Sequence, residues 1–287
     1  MKTPHLLLVF HVAFAGLASV AVAQTAAPGP ALVAMGAKFE KNWQFKEPAL
    51  IFRADAPLTA EQWGEIEALA PLRIAANGKG VDDAALQRFA KLAVEEFATD
   101  GSSITDEGFA AFVRMPRLVR LSVSHNLVIK TAPGLAGHPS LQVVNFGGTR
   151  IGDGALPVLA SIRTLRELSL HHCGVTDAGL AALERHPALE KLTLDPQFKP
   201  WITDACIGVL VTLPRLRELA MNETVLSLQG LSRLKAVGGL QKLTLQKNGI
   251  AAADVEKLRG VLTGVEIRHE PADEAAVAKW NAALKRP

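Results

Sequence analysis

Apolar residues recur along this chain in the spacing Leu-x-x-Leu-x-Leu, and the pattern returns about every 24 residues. It opens at Val94, Leu118, Leu141, Leu165, Leu189, Leu216, Leu240 and Leu262, in steps of 24, 23, 24, 24, 27, 24 and 22. The closing Leu-x-Leu alternates, so its two leucines share one face of a short strand while polar neighbours face the other way. Three positions further on stands Asn126, Thr149, Cys173, Thr224 or Asn248, each small enough to hydrogen-bond the backbone of a tight turn. A second stretch then reads Ile/Val-Thr-Asp-x-Gly-Leu-x-x-Leu, most clearly from Val175 to Leu183 and in degraded form at residues 104–109 and 202–207. Its Thr or Asp predicts a helix N-cap, and the apolar residue before the cap can staple onto the first turn. Leu180 and Leu183 lie three apart, on one buried face. Proline after Met115, His138, His186 and Leu213 stops each helix and returns the chain to the next strand. One such unit cannot bury its apolar face alone, but a stack can. The period therefore predicts a single elongated solenoid over residues 94–268.

The flanks depart from the period. Residues 38–93 read as a cap with degenerate repeats. Leu58-Thr59-Ala60-Glu61-Gln62-Trp63 opens a capped helix that runs past Ile66 and Leu69. Ile74-x-Ala76 and then Val81-Asp82-Asp83-x-x-Leu86-x-x-Phe89 form a worn unit. Trp43 and Phe45 are expected to shield the first sheet edge and the end of the core. Residues 269–287 predict a closing amphipathic helix, with Trp280 against the last repeat. The unit after Leu118 lacks the Thr-Asp cap, so a looser turn is expected in place of its helix. After Leu189 comes an insertion, Pro196-Gln197-Phe198-Lys199-Pro200-Trp201. Its Phe198 and Trp201 read either as a contact loop or as local packing.

The repeat resembles the leucine-rich-repeat family, and within it the ribonuclease-inhibitor-like and cysteine-containing types. The best copy runs from Leu165 to Leu189, with Cys173 at the position that names the cysteine-containing class. Asn, Thr or Ser stands there in most other copies, and there is no recognisable F-box. The resemblance covers about two-thirds of the chain. It implies an α/β solenoid, a right-handed horseshoe or arc with parallel strands on the concave side and helices on the convex side. It also implies a protein-binding role without catalysis.

The first 23 residues read as an export signal: Lys2, an apolar run over residues 6–22, and Ala21-Val22-Ala23 ahead of Gln24. Kept uncleaved, the same run is long enough to anchor the chain in a membrane. Residues 24–37 read as a flexible linker. Net charge is +3, aromatics are 5% and tyrosine is absent, which offers nothing to recommend nucleic acid, an acidic membrane or a stacking platform. Cys173 and Cys206 occupy separate repeat positions and read as small buried thiols, not as a bridge. Basic residues near the helix ends, among them Arg114, Arg163, Arg185, Arg233 and Lys235, suit helix C-termini.

Candidate chemistry is thin. His138 and His186 precede prolines at helix ends and suit capping. His125 and His172 lie two units apart, about 10 Å at ordinary strand spacing, with Gly148 between them supplying no ligand. Ser122 and Ser169 lack the Gly-x-Ser-x-Gly turn of a nucleophile. No active site, metal or cofactor is assigned. The expected binding face is the concave one: Glu96, Asp100, Arg120, Ser122, Ser124, Asn145, Glu167, Ser169, His171, Lys191, Asp195, Glu218, Asn222, Lys242 and Gln246. Its charges alternate in sign, which suits a selective protein contact. The expectation is an exported, non-catalytic scaffold holding a protein partner. The alternatives are a structural spacer of the periplasm or cell surface and, behind it, a hydrolase using His171 or His172.

Overall fold

The computed structural model describes residues 26–41, 44–196 and 202–283. The expected export signal over residues 1–23, Trp43, Phe198 and Trp201 lie outside the described residues. Strands β1 (Lys38–Glu40), β2 (Ala49–Arg53), β3 (Arg73–Asn77), β4 (Glu96–Asp100), β5 (Arg120–Ser124) and β6 (Val143–Gly147) are followed by five more. These are β7 (Glu167–Cys173), β8 (Lys191–Pro196), β9 (Glu218–Met221), β10 (Lys242–Asn248) and β11 (Glu266–Pro271). All eleven form one open sheet in chain order. β1 is antiparallel to β2, and every later pair is parallel.

The register puts like residues of successive repeats side by side. Leu168 pairs with Val144 and Leu192, and Leu170 with Phe146 and Leu194. This row, from Leu50 through Ile74, Phe97, Leu121, Val144, Leu168, Leu192, Leu219 and Leu243 to Ile267, is buried throughout. The opening leucines and the helix leucines close the core from the other side, in one continuous cluster. Towards the first repeats phenylalanine takes over from leucine: Phe89, Phe97, Phe109, Phe112 and Phe146 form a chain of ring contacts 5.0–6.2 Å apart.

Opposite the sheet run α2 (Ala60–Leu69), α3 (Asp83–Phe89), α4 (Leu156–Ala160), α5 (Asp177–Leu180), α6 (Ile207–Leu210), α7 (Leu228–Ser232) and α8 (Ala252–Val261). 3₁₀ segments such as Gly108–Arg114 complete this layer. Most of these elements are short, because about 24 residues must supply a strand, two turns and a helix, and proline ends the last. The unit after β5 holds only the 3₁₀ turn Pro133–Leu135, the looser turn its missing cap predicted. α2 starts with a full capping box between Thr59 and Gln62.

The Thr-Asp pair divides its work in a way the motif does not announce. Thr176, Thr203 and Ser227 cap their own helices. The aspartate instead reaches forward to the next repeat. Asp177 accepts from the Thr203 backbone N–H at 2.9 Å and its hydroxyl at 2.6 Å. Asp83 does the same for Thr105, Asp153 for Thr176 and Asp204 for Ser227. The motif glycine follows from this: a Cβ on Gly179 would stand 2.1 Å from Asp153 Oδ1, and one on Gly230 2.2 Å from Asp204 Oδ1.

Parallel stacking starts at β2, so the degenerate repeats expected in residues 38–93 join the same stack. Two details differ from expectation. Residues 24–37 are not a free linker throughout: α1 (Pro30–Val33) packs Leu32 fully into the core. The Ala31 and Leu32 N–H groups donate to the Glu65 carboxylate at 3.0 and 2.8 Å. At the other end α9 (Glu274–Ala283) forms, but Trp280 is only half-buried and stays outside the core.

Candidate functional site

Three rows of side chains run across the concave face, one from each outward position of the strands. Glu96, Arg120, Val143, Glu167, Lys191, Glu218 and Lys242 make the first row. Ala98, Ser122, Asn145, Ser169, Thr193, Ala220 and Thr244 make the second. Asp100, Ser124, Gly147, His171 and Asp195 make the third, with Asn222 and Gln246 continuing it.

The face is not open along its whole length, and here the expected site needs correction. Phe45 folds over the first strands and packs on Ala49, Ala75, Ala98 and Ile51, forming a small second core on the concave side. The Gln44 amide reaches Ser122 Oγ at 3.4 Å, and Asn145 donates to the same oxygen. Ser122 and Ser124 are buried rather than facing water. Glu96 lies between Arg73 and Arg120, at 3.9 and 4.0 Å, with only 17% of its side chain exposed. Burial pushes its carboxyl above the usual range, against the pull of the two arginines. Glu96, Arg120, Ser122 and Ser124 therefore belong to the covered end. Small side chains at 49, 75 and 98 make room for the cover.

From β6 onwards the face is accessible. Asn145, Ser169, Thr193, Ala220 and Thr244 form a low floor, and Glu167, Lys191, Glu218 and Lys242 stand beside it, each at least partly exposed. Their alternating signs are partly satisfied within the sheet, since Lys191 Nζ lies 3.6 Å from Glu218 Oε2.

At the far edge of this strip the third row gathers ionisable groups. His171 pairs with Asp195 one strand away, Nδ1 to Oδ2 at 2.6 Å. That hydrogen bond raises the imidazole pKa against the opposing effect of burial. The next residue, His172, has φ +52, and the strand register shifts at this point. A regular strand would send His172 to the opposite face. The left-handed turn instead lays its ring on that of His171, centroids 4.0 Å apart. The same turn recurs with side chains at His125, Glu223 and Lys247, a conformation costing about 1–3 kcal/mol outside glycine. Asp100 and His125 form a second pair at 2.9 Å, near the covered end.

The remaining candidates are structural. His138 and His186 are buried, and each donates Nε2–H to a carbonyl of the preceding repeat, Phe112 at 3.2 Å and Ile162 at 3.0 Å. Cys173 and Cys206 are free and buried. Burial pushes the Cys173 thiol up to about 11 and raises Cys206 as well. Asn126 and Asn248 bond turn backbone as their type and position predicted.

A family model described as leucine-rich repeat matches residues 161–183, the stretch holding the best copy of the motif. Among solved structures, TLR13 in a TLR13–ssRNA13 complex is similar with a TM-score of 0.56 and 14% identity. That match covers 77% of this chain and 32% of TLR13, so the chain spans about a third of that relative's length. The chain has the leucine-rich-repeat fold. An internalin (inlF) from Listeria monocytogenes str. 4b F2365 also matches, with 18% identity, a TM-score of 0.41, and coverage of 80% and 84%. No curated protein matches the chain.

Within this leucine-rich-repeat arc, comparing His125 with His172 along one row overlooks the neighbouring row. There His171 faces Asp195, 24 positions later. The one-repeat offset was legible, but the ring orientation at 172 depends on the left-handed turn. Phe45 was expected at the first sheet edge and core end; that it folds with Gln44 over the concave face instead had no signal beyond the small residues at 49, 75 and 98.

Proposed function

We propose that this leucine-rich-repeat chain is exported and acts as a non-catalytic scaffold, holding a protein partner on the accessible concave strip from β6 to β10. The observation that carries the reading is the shape and chemistry of that strip. A floor of short side chains, Ser169, Thr193, Ala220 and Thr244, lies beside rows of longer charged and polar ones. Such a floor admits the side chains of another protein, and the charged row selects among them. The fold is consistent with this use, because solenoids present extended concave surfaces. Export is inferred from the first 23 residues.

A photo-crosslinking residue placed at Thr193 or Thr244 is expected to yield a discrete protein adduct in the native setting. The double charge reversal Lys191→Glu and Lys242→Glu is expected to reduce that adduct at least tenfold, with the thermal unfolding midpoint little changed. Equal adducts from a convex position such as Glu256, or adducts indifferent to the reversal, would remove the concave strip from consideration.

A further inference from the structure

His171, His172 and Asp195 each offer one ligand atom, and these atoms lie within 4.8 Å of one another. Asp195 is 4% exposed, and its Oδ1 is buried without a hydrogen-bond partner. A buried carboxylate oxygen left unpaired is costly, and its presence calls for a missing partner. His172 Nε2 stands 3.8 Å from that oxygen. That is too long for a hydrogen bond. It is near the span of two metal–ligand bonds of about 2.0–2.2 Å meeting at an opened tetrahedral angle. Glu223 Oε2 lies 4.0 Å from the same nitrogen, within reach of a fourth bond after a small side-chain rotation.

We propose that His171, His172 and Asp195, with Glu223 beside them, form a binding site for a late first-row divalent metal ion such as Zn²⁺. Two imidazoles and carboxylate oxygen suit zinc and its neighbours, whereas calcium and magnesium favour all-oxygen sets. The donors are built in by the fold. Parallel register sets Asp195 opposite His171, and the left-handed turn at His172 brings the second ring onto the same side. His171 and His172 are half and about one-third exposed, so an ion can enter from the concave side and keep a water. The His171–Asp195 hydrogen bond opens or becomes an orienting contact when the ion binds. This inference stands apart from the protein-scaffold reading.

The test uses the full chain without a histidine tag, stripped with chelator, titrated with Zn²⁺ by calorimetry and with Co²⁺ by visible absorption. One equivalent of Zn²⁺ and a tetrahedral Co²⁺ spectrum are expected. His172→Gln and Asp195→Asn should each weaken binding at least tenfold. His125→Gln breaks the other His–Asp pair and should leave binding intact. His172 is partly exposed, so its variant remains informative even if Asp195→Asn folds poorly. No saturable equivalent, or binding that survives His172→Gln, would overturn the proposal.

Discussion

His138 and His186 show how one side chain can join two repeats. Each ring donates Nε2–H to a carbonyl behind it, while Nδ1 faces backbone N–H groups ahead, of Leu141 at 3.3 Å and of Ala188 at 3.4 Å. A proton on Nδ1 would meet those N–H groups head-on. Burial lowers both pKa values, and Arg163 lowers that of His186 further. A histidine whose folded pKa is depressed contributes stability above its unfolded pKa, about 6.5, and loses it as pH falls through the folded value. His171 acts in the opposite sense: its raised pKa contributes stability at low pH that is lost as pH rises through the folded value. Stability is therefore expected to fall between pH 7 and 5 through His138 and His186. The double variant His138→Gln and His186→Gln should start less stable and show a shallower acid slope in urea midpoints. An unchanged slope would mean the two rings do not govern it.

The helical elements are too short to stand alone, since a few residues cannot outweigh the cost of nucleating a helix. What holds them is burial of their apolar side chains in the shared core and, at several repeats, the forward reach of an aspartate. Asp106 shows its strength: burial would raise its pKa, but the N–H groups of Ala132, Thr131 and Lys130 and the Thr131 hydroxyl together lower it. Glycine at the fifth motif position leaves room for the carboxylate of the preceding repeat. Gly179→Ala is thus expected to destabilise by about 1–3 kcal/mol, as overpacking does. With Asp153→Ala in place, the same substitution should cost far less, giving a coupling of about 1 kcal/mol or more in a double-mutant cycle. Additive effects would show that the close approach is harmless. Cys206 shows that the position tolerates an exception, because Asp177 still holds Thr203 beside it.

The molecule as a whole is a one-dimensional stack with its two ends treated differently. β1 pairs along the first parallel strand, α1 seals the core below it, and Phe45 folds over the concave face. The last strand is followed by a helix none of whose described side chains is fully buried. Export is expected to yield a chain beginning at Gln24, which intact-mass measurement of protein from the envelope or medium would reveal. A chain retaining residues 1–23 in the membrane fraction would favour the anchor instead.

Periodic leucines announced the strands, their faces, the helix starts and the stacking axis, because each depends on residues only a few positions apart. The Thr59 cap, the worn unit at Val81 and the missing helix after Leu118 were legible for the same reason. Contacts made across repeats were not. Asp177 could have capped its own helix, and only the spacing of neighbouring coils sends it to Thr203. His172 could have faced away from His171, and the left-handed turn decides otherwise. Phe45 could have covered either surface of the first strands, and the shallow alanine floor on the concave side gave it a seat. Local pattern encodes the unit, but the distance and angle between units are settled only when all of them pack together.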